Sequence, residues 1–175
     1  MENNYVILVD KNDHELGVAD KIEAHTTKPL LHRAITVLLF DDKNEALITK
    51  RSKEKLLWPL IWETTCSTHP YKNESYEACA KRRLKEELGI EVVARVIDKI
   101  IYSSKDADRG SENEVCALLV GKINQPIKIN PNEVMETKFI ALDQLRKDIQ
   151  KKPQDYAPWL VLSLESLERL NISQI

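Results

Sequence analysis

Three of the four histidines, His25, His32 and His69, lie in predicted loops, and Glu112 and Glu114 flank one asparagine where a strand is predicted to begin. Residues i and i+2 of a strand share one face, so the two carboxylates point the same way. Such carboxylates raise each other's pKa unless a cation lies between them. Together with three imidazoles they would suit Zn, Mn, Fe or Mg. Taken singly, each histidine is more often a surface or capping residue, and the glutamates a solvated strand end.

A second candidate is a charged helix from about Ser75 to Leu88, together with the loop before it. Asn73 or Ser75 can cap its start, and Gly89 suits its end. Apolar side chains recur every four residues and predict one buried stripe at Tyr76, Ala80, Leu84 and Leu88. The remaining face is charged and carries Lys81, Arg82, Arg83, Lys85, Glu86 and Glu87.

This segment resembles the Nudix box, a loop–helix–loop that holds a divalent metal against a diphosphate. The match covers Glu74, Arg82, Leu84, Glu86, Glu87, Gly89 and Ile90. It departs at Thr68, where the box opens with glycine, and at Arg83, where Nudix hydrolases have a glutamate. A guanidinium there removes a metal ligand and adds a group that grips phosphate through paired N–H donors. The helix is therefore better suited to bind a diphosphate than to hydrolyse it. The alternative interpretation is that Arg83 and Glu87 form an ordinary surface ion pair.

Three further cations, Lys21, Arg51 and Lys55, could neutralise a diphosphate together with Arg83. None of them is diagnostic alone, because loops are rich in lysine. The chain as a whole is not basic, since 26 Lys and Arg residues face 28 Asp and Glu residues, for a formal net charge of -2. That balance argues against a general binder of nucleic acid or of anionic membranes.

The 175 residues, 42% of them hydrophobic, can bury one sizeable core, and we expect a single domain over residues 1–175. The start of the chain lacks the pattern of a secretory signal, and the longest apolar run is too short to cross a bilayer. Cys66, Cys79 and Cys116 fit neither a disulfide framework nor a paired zinc motif. We expect a reduced cytoplasmic protein, a monomer or a weak homodimer.

The pattern of the whole chain predicts an α+β fold with strands first, a central helix and further helices late. Strands are expected at 5–9, at 35–40 and 46–50 as a hairpin, at 64–68, in three runs at 90–97, 100–103 and 115–120, and at 138–142. Residues 105–111 are expected to form a charged loop, and Pro29 makes 21–33 irregular. Helices are predicted at 143–151 and 158–170.

Seven stretches together resemble the type I isopentenyl-diphosphate isomerases, a family with a Nudix-type fold. They occur in the family's order and at near-family spacing over almost the whole chain. The stretches are A-H-T-T-K-P-L-L-H-R-A (24–34), T-K-R-S-K-E-K-L-L-W-P (49–59), C-S-T-H-P (66–70), R-R-L-K-E-E-L-G (82–89), E-N-E-V-C (112–116), N-E-V-M-E (132–136) and Y-A-P-W (156–159). The resemblance implies a Nudix-like mixed β-sheet sandwich flanked by helices.

The resemblance also implies roles for individual positions. The positions of a first metal site, for Mn, Mg or Zn, are His25, His32, His69, Glu112 and Glu114. Glu87 matches the ligand of a Mg that binds with the substrate diphosphate. The diphosphate-binding positions are Lys21, Arg51, Lys55 and Arg83. Glu114 and Tyr102 match a pair that protonates the substrate alkene. Trp159 matches an indole beside a tertiary carbocation, although by residue type alone it reads as a core anchor behind Pro158.

One departure from the family lies at Ser67, where the alignment on His69-Pro70 places the family's catalytic cysteine. Cys66 is adjacent, but neighbouring side chains in an extended segment face opposite sides, so it cannot substitute without a bulge. A thiol can shuttle protons near neutral pH, whereas a serine hydroxyl is a much weaker acid.

Three hypotheses follow from these observations. The first is a metal-dependent isomerase that converts isopentenyl diphosphate to dimethylallyl diphosphate, with a small prenyl diphosphate as its partner and no nucleic acid or membrane. The second is a Nudix hydrolase of nucleotide or prenyl diphosphates, which Arg83 disfavours. The third is a weakly active or non-catalytic binder of diphosphate, which Ser67 motivates.

Overall fold

The structure is a computed structural model that describes residues 4–26 and 28–172. Within these ranges the strands are β1 (Tyr5–Val9), β2 (Glu15–Asp20), β3 (His32–Phe40), β4 (Ala46–Arg51), β5 (Trp62–Glu63), β6 (Cys66–Thr68), β7 (Ala94–Asp106), β8 (Gly110–Lys122) and β9 (Val134–Ile140). The helices are α1 (Lys21–Ala24), α2 (Tyr76–Leu88), α3 (Leu142–Lys151) and α4 (Pro158–Arg169), with a 3-10 turn at Pro153–Asp155.

The described strands form one curled, mixed sheet organised around β3. Strand β8 runs parallel to β3 along its whole length, from the pair His32 and Glu114 to the pair Phe40 and Lys122. The other edge of β3 meets β1, then β6, then β4. Strand β4 continues the sheet to β5 and β9, and β7 pairs with β8. The apolar run of β3 is buried on both faces, as a central strand requires.

Helices cover both faces of the sheet, and successive side chains of β3 point alternately to the two faces. Ile35, Val37 and Leu39 pack with the apolar stripe of α2, whereas Leu38 and Phe40 pack with α4. The α+β class with flanking helices is therefore confirmed. His32 and Thr36 share the parity of Leu38, so they lie on the α4 side of the strand.

The predicted central helix is confirmed nearly to the residue. The Ser75 hydroxyl accepts a hydrogen bond from the amide of Ala78, and the helix ends at Gly89, whose φ of 66° is left-handed. Ala80, Leu84 and Leu88 are fully buried, and Tyr76 packs partly buried against the same core. The stripe anchors α2 so that its charged face turns outward and towards the cavity.

Several predicted elements differ from the structure. Residues 94–97 and the run at 100–103 belong to a single strand, β7, whereas the predicted strand residues 90–93 lie outside it, and the loop predicted at 105–111 shrinks to the tight turn between Asp106 and Gly110. Strand β9 begins at Val134, earlier than predicted, and residues 21–24 form α1 because the Asp20 carboxylate accepts two helix amides. Strand β2 was missed because it is an edge strand with mostly exposed side chains. Each helix of the described residues is too short or too polar to cross a membrane.

Candidate active site

Five side chains from separate parts of the chain converge on one point, as the sequence predicts. They come from the end of α1, the start of β3, the end of β6 and one face of β8, and they are His25, His32, His69, Glu112 and Glu114. One nitrogen or oxygen from each lies within 4.8 Å of the others. Glu112 and Glu114 lie inside β8 rather than at its mouth, because β7 and β8 pair almost to the turn.

The short distances within the cluster join imidazole nitrogens to carboxylate oxygens. Nε2 of His25 lies 2.9 Å from Oε2 of Glu112, and Nε2 of His69 lies 3.2 Å from Oε1 of Glu114. His32 is central, because its Nε2 is 3.6 Å from an oxygen of each glutamate and 3.1 Å from Nε2 of His69. The cluster thus directs five donor atoms at one small volume.

The outer nitrogens of two imidazoles fix which atoms face inward. Nδ1 of His25 bonds the carbonyl of Lys21, and Nδ1 of His32 bonds the carbonyl of Leu30 at 2.7 Å. With the proton on Nδ1, each Nε2 presents a lone pair to the cluster. Oε2 of Glu112 is buried and lies 2.9 Å from one of these nitrogens, Nε2 of His25. The lone pairs of these nitrogen and oxygen atoms point at one another and repel unless a cation lies between them. These residues therefore fit a divalent metal with nitrogen and oxygen ligands.

The pKa values of the cluster indicate which of its atoms would hold a proton when no metal is bound. Burial lowers the pKa of His25, but the hydrogen bond and charge of Glu112 outweigh it and raise that pKa above its usual value. Burial and the charge of Glu114 raise the pKa of Glu112. For Glu114, burial is outweighed by its bonds to His32 and His69, which lower the pKa. Burial, only partly offset by Glu114, lowers the pKa of His69 to about 3.

Metal affinity is therefore expected to fall as the pH is lowered through the raised pKa of His25. Metal binding must displace the proton that His25 and Glu112 share, which costs about tenfold in affinity per pH unit for each displaced proton. Titration of the metal-stripped protein with Mn at pH 5 to 8 measures this dependence. Replacement of the exposed His14 by alanine is the control and should leave the curve unchanged. An affinity independent of pH would contradict the assignment.

A cavity of about 400 Å³ opens beside the cluster. Eleven of the thirteen predicted site residues line it, namely Lys21, His25, Arg51, Lys55, Ser67, His69, Arg83, Tyr102, Glu112, Glu114 and Trp159. The other two, His32 and Glu87, are fully buried and contact residues that line the cavity. Leu56 and Leu57 add apolar surface. A cavity with cations, a ligand cluster and apolar walls suits a small molecule that is anionic at one end.

Two of the predicted cations share a buried network with two carboxylates. The Arg83 guanidinium contacts Glu87 and lies 3.2 Å from Oε2 of Glu133. The Lys55 ammonium contacts Glu133 and lies 3.6 Å from Oε1 of Glu87. Burial lowers the pKa of Lys55, but Glu87 and Glu133 raise it more, so the amine stays charged. Within the described chain, Nε of Arg83 is buried without a hydrogen-bond partner, which leaves a donor for an incoming phosphate oxygen.

Arg51 lines the cavity but is held more tightly than its prediction as a diphosphate ligand suggests. It donates to Oε1 of Glu63 at 2.7 Å and to the carbonyls of Leu57 and Trp58. Sequence reasoning missed Glu63 and Glu133 as members of the site. Glu133 lies within the stretch N-E-V-M-E that already carried the family resemblance, so a signal was present. Glu63 carried none.

Ser67 lies in a chain of buried hydroxyls on the cavity side of β6. Its Oγ is 2.9 Å from Oγ1 of Thr64 and 3.1 Å from Oγ1 of Thr36, and these two threonines are 2.7 Å apart. Cys66 is fully buried in the core on the opposite face, as alternation predicts. Burial raises the pKa of its thiol well above the usual value. Cys66 therefore cannot reach the cavity in place of Ser67.

Tyr102 lies opposite Glu114 in the β7–β8 ladder, and its hydroxyl donates to Oε2 of Glu114 at 2.6 Å. Burial and the charge of Glu114 raise the pKa of the phenol well above its usual value, so it keeps its proton at neutral pH. A neutral phenol hydrogen-bonded to a buried carboxylate is an arrangement that can hold and transfer a proton.

Trp159 stands at the start of α4 and is 4% exposed. Its indole N–H donates to Oε2 of Glu63 at 3.1 Å. The ring centroid lies 5.3 Å from that of Trp58 at an interplanar angle of 88°. The structure thus places Trp159 in the core, as its residue type predicts, and also in the cavity wall.

Comparisons with known proteins agree with the observed fold. The NUDIX domain family model matches residues 30–160. Solved structures with a similar fold include DR0079 from Deinococcus radiodurans, with a TM-score of 0.74, 16% identity and coverage of 93% of this chain and 98% of that one. The MutT protein from Methanosarcina mazei has a TM-score of 0.67, 17% identity and coverage of 81% and 96%. The chain is therefore a Nudix-domain protein.

Curated relatives identify a more specific family within the Nudix-domain proteins. An isopentenyl-diphosphate Delta-isomerase from Citrobacter koseri is 34% identical over 93% of this chain and 91% of its own length. An isopentenyl-diphosphate Delta-isomerase 1 from Photorhabdus laumondii is 36% identical over 91% of this chain and 90% of its own length. The chain belongs to the isopentenyl-diphosphate Delta-isomerase family.

Proposed function

We propose that this protein is a metal-dependent enzyme that converts isopentenyl diphosphate to dimethylallyl diphosphate. The observation that carries the proposal is the cavity, which joins the metal-type cluster, the Tyr102–Glu114 pair and the Lys55–Arg83 cations. The family of the chain and the names of its relatives support it.

The reaction shifts a double bond within one molecule. A proton adds to the terminal alkene carbon and leaves a tertiary carbocation, and a different proton then leaves the neighbouring carbon to form the new double bond. Glu114 and Tyr102 deliver the first proton, because the phenol is neutral and already shares a hydrogen bond with the carboxylate. Ser67, or a water that it holds, assists removal of the second.

The remaining residues bind, orient and shield the substrate. Lys21, Lys55, Arg83 and Arg51 neutralise the diphosphate, and Glu87 would hold a Mg that accompanies it. The His/Glu residues would hold a divalent ion, whose positive charge would let Glu112 and Glu114 stay ionised side by side. The face of Trp159 stabilises the carbocation by about 2 kcal/mol when the cavity is dry.

The contacts of Arg83 favour an isomerase over a hydrolase. Its guanidinium lies between Glu86 and Glu87, which would be metal ligands in a hydrolytic Nudix box. A hydrolase needs several free carboxylates to hold metal and activate water. Here a guanidinium replaces one of those carboxylates and pairs with Glu86, so the set of carboxylates is smaller than a hydrolase requires.

Incubation of the Mn- and Mg-loaded protein with isopentenyl diphosphate in D2O tests the proposal, with the products followed by NMR. We expect dimethylallyl diphosphate that carries deuterium, because the added proton comes from a solvent-exchanging group. The absence of any allylic product at high enzyme concentration, or the release of phosphate instead, would contradict the proposal.

Replacing Ser67 with cysteine is expected to raise kcat by about 10-fold to 100-fold, because a thiol is a far better acid and base near neutral pH than an alcohol. Cys66→Ala is the matched control, since Cys66 is fully buried on the opposite face, and kcat should not change. Substrate binding without turnover in both the wild type and the Ser67→Cys variant would favour the non-catalytic binder.

A further inference from the structure

The backbone of Trp58 adopts a conformation that bulky residues rarely take. Its φ is 46°, in the left-handed region that favours glycine. Two hydrogen bonds hold it there. Its N–H donates to Oδ2 of Asp106 at 2.6 Å, and its carbonyl accepts from Nε of Arg51 at 2.9 Å. Backbone strain of this kind persists only where surrounding contacts hold the residue, and it is common at functional sites. The contacts of the Trp58 indole indicate a role for this position.

The indole of Trp58 and the cavity-lining indole of Trp159 belong to a closed ring of contacts. Arg51 donates to Oε1 of Glu63, and Oε2 of the same carboxylate accepts the indole N–H of Trp159. The rings of Trp58 and Trp159 meet at near right angles, which closes the ring. The bond to Glu63 fixes one point of the Trp159 indole, and the contact with Trp58 fixes its rotation about that point.

We propose that Trp58, held by Asp106, is a positioning residue that sets the plane of Trp159 towards the cationic intermediate. The inference rests on the proposed function. The face of an aromatic ring attracts a cation and the edge repels one, so a rotated indole would lose its effect without leaving the cavity. The Arg51 guanidinium lies 5.3 Å from the centroid of the Trp159 ring, and its pairing with Glu63 offsets part of the charge that would otherwise oppose a second cation there.

The inference predicts which kinetic quantity changes. Among the described residues, the hydrogen bonds and ring contact of Trp58 and Asp106 reach Arg51, Arg109 and Trp159 rather than the Lys55–Arg83 network or the imidazoles, so diphosphate and metal binding should be preserved. The loss should fall on stabilisation of the carbocation, which means on kcat and on the affinity for a positively charged mimic of it.

The experiment compares Trp58→Leu and Asp106→Ala with the conservative variants Trp58→Phe and Asp106→Asn. The probes are inorganic pyrophosphate and an isopentenyl-sized diphosphate whose cationic carbon is replaced by a tertiary ammonium. We expect Trp58→Leu and Asp106→Ala to lower kcat and the ammonium affinity by about 10-fold to 30-fold, with pyrophosphate affinity and metal content unchanged. Phenylalanine keeps a ring and asparagine keeps an acceptor, so both should restore most of the loss.

Arg109→Ala is the matched control, because Arg109 is the other partner of Asp106, bonded to Oδ1 at 3.0 Å, and it should change nothing. The inference is overturned if the ammonium and pyrophosphate affinities fall together in Trp58→Leu, or if neither falls while the wild type turns over. A wild type that binds pyrophosphate but makes no allylic product overturns the proposed function itself, and this inference with it.

Discussion

Glutamine in place of Glu114 is expected to lower kcat by about 10²-fold to 10⁴-fold and to weaken metal binding at the same time. The carboxylate has two tasks, because Oε1 faces His69 and His32 while Oε2 accepts the Tyr102 hydroxyl. The amide has nearly the same shape but carries no charge, so it balances neither a metal nor a transferred proton. Steady-state kinetics with metal analysis of the purified variant measure both losses.

Two controls separate the tasks of Glu114. Tyr102→Phe removes the phenol but none of the five ligands, so it should lower kcat while the metal content stays at the wild-type level. Glu91→Gln changes an exposed carboxylate that pairs with Lys85 on the surface, and it should change neither quantity. A Glu114→Gln variant with normal turnover would show that the proton donor has been assigned to the wrong residue.

Alanine at Gly110 is expected to reduce both stability and metal affinity, although Gly110 carries no side chain. A Cβ there would lie 2.4 Å from the backbone carbonyl of His25 and 3.0 Å from a methyl of Leu57. The amide of Ser111 also bonds that carbonyl, so the turn cannot move without moving His25. We expect a loss of about 1–3 kcal/mol, or roughly 2–12 °C in Tm, and a metal affinity at least about tenfold weaker.

Gly17→Ala is the matched control for Gly110→Ala. The two glycines have nearly the same φ, 152° and 156°, but a Cβ on Gly17 would meet no atom within 4 Å. Both variants therefore carry the backbone strain, and only Gly110→Ala carries the clash. Thermal unfolding and Mn titration of the two variants compare these effects. Equal metal affinities in the two variants would mean that the β7–β8 turn does not position His25.

The shared face of the two glutamates and the central helix could be predicted because their signals are local. Alternation along β8 puts Glu112 and Glu114 on one face, and the four-residue spacing from Tyr76 to Leu88 fixes the buried side of α2. The same alternation separates Ser67 from Cys66. The convergence of the three histidines depended on the resemblance to a family, because residue spacing alone cannot bring distant loops together.

The missed features depend on loop geometry and on tertiary contacts. The left-handed backbone of Trp58 and its bond to Asp106 join residues 48 positions apart, and no periodic pattern marks them. Arg51 reads as a phosphate ligand from its charge, but the carbonyls of the 57–58 loop take up much of its donor capacity. The length of β7 was underestimated because its exposed face is polar and looks like a loop.

The central claim is that the three imidazoles and two carboxylates hold one metal ion. X-ray absorption of the protein loaded with one equivalent of Mn tests this most directly, because imidazole rings give a distinct multiple-scattering signal beyond the first shell. We predict a mixed nitrogen and oxygen shell with about three imidazoles, a signal that His32→Ala diminishes. A shell of oxygen atoms alone, unaltered in His32→Ala, would contradict the account.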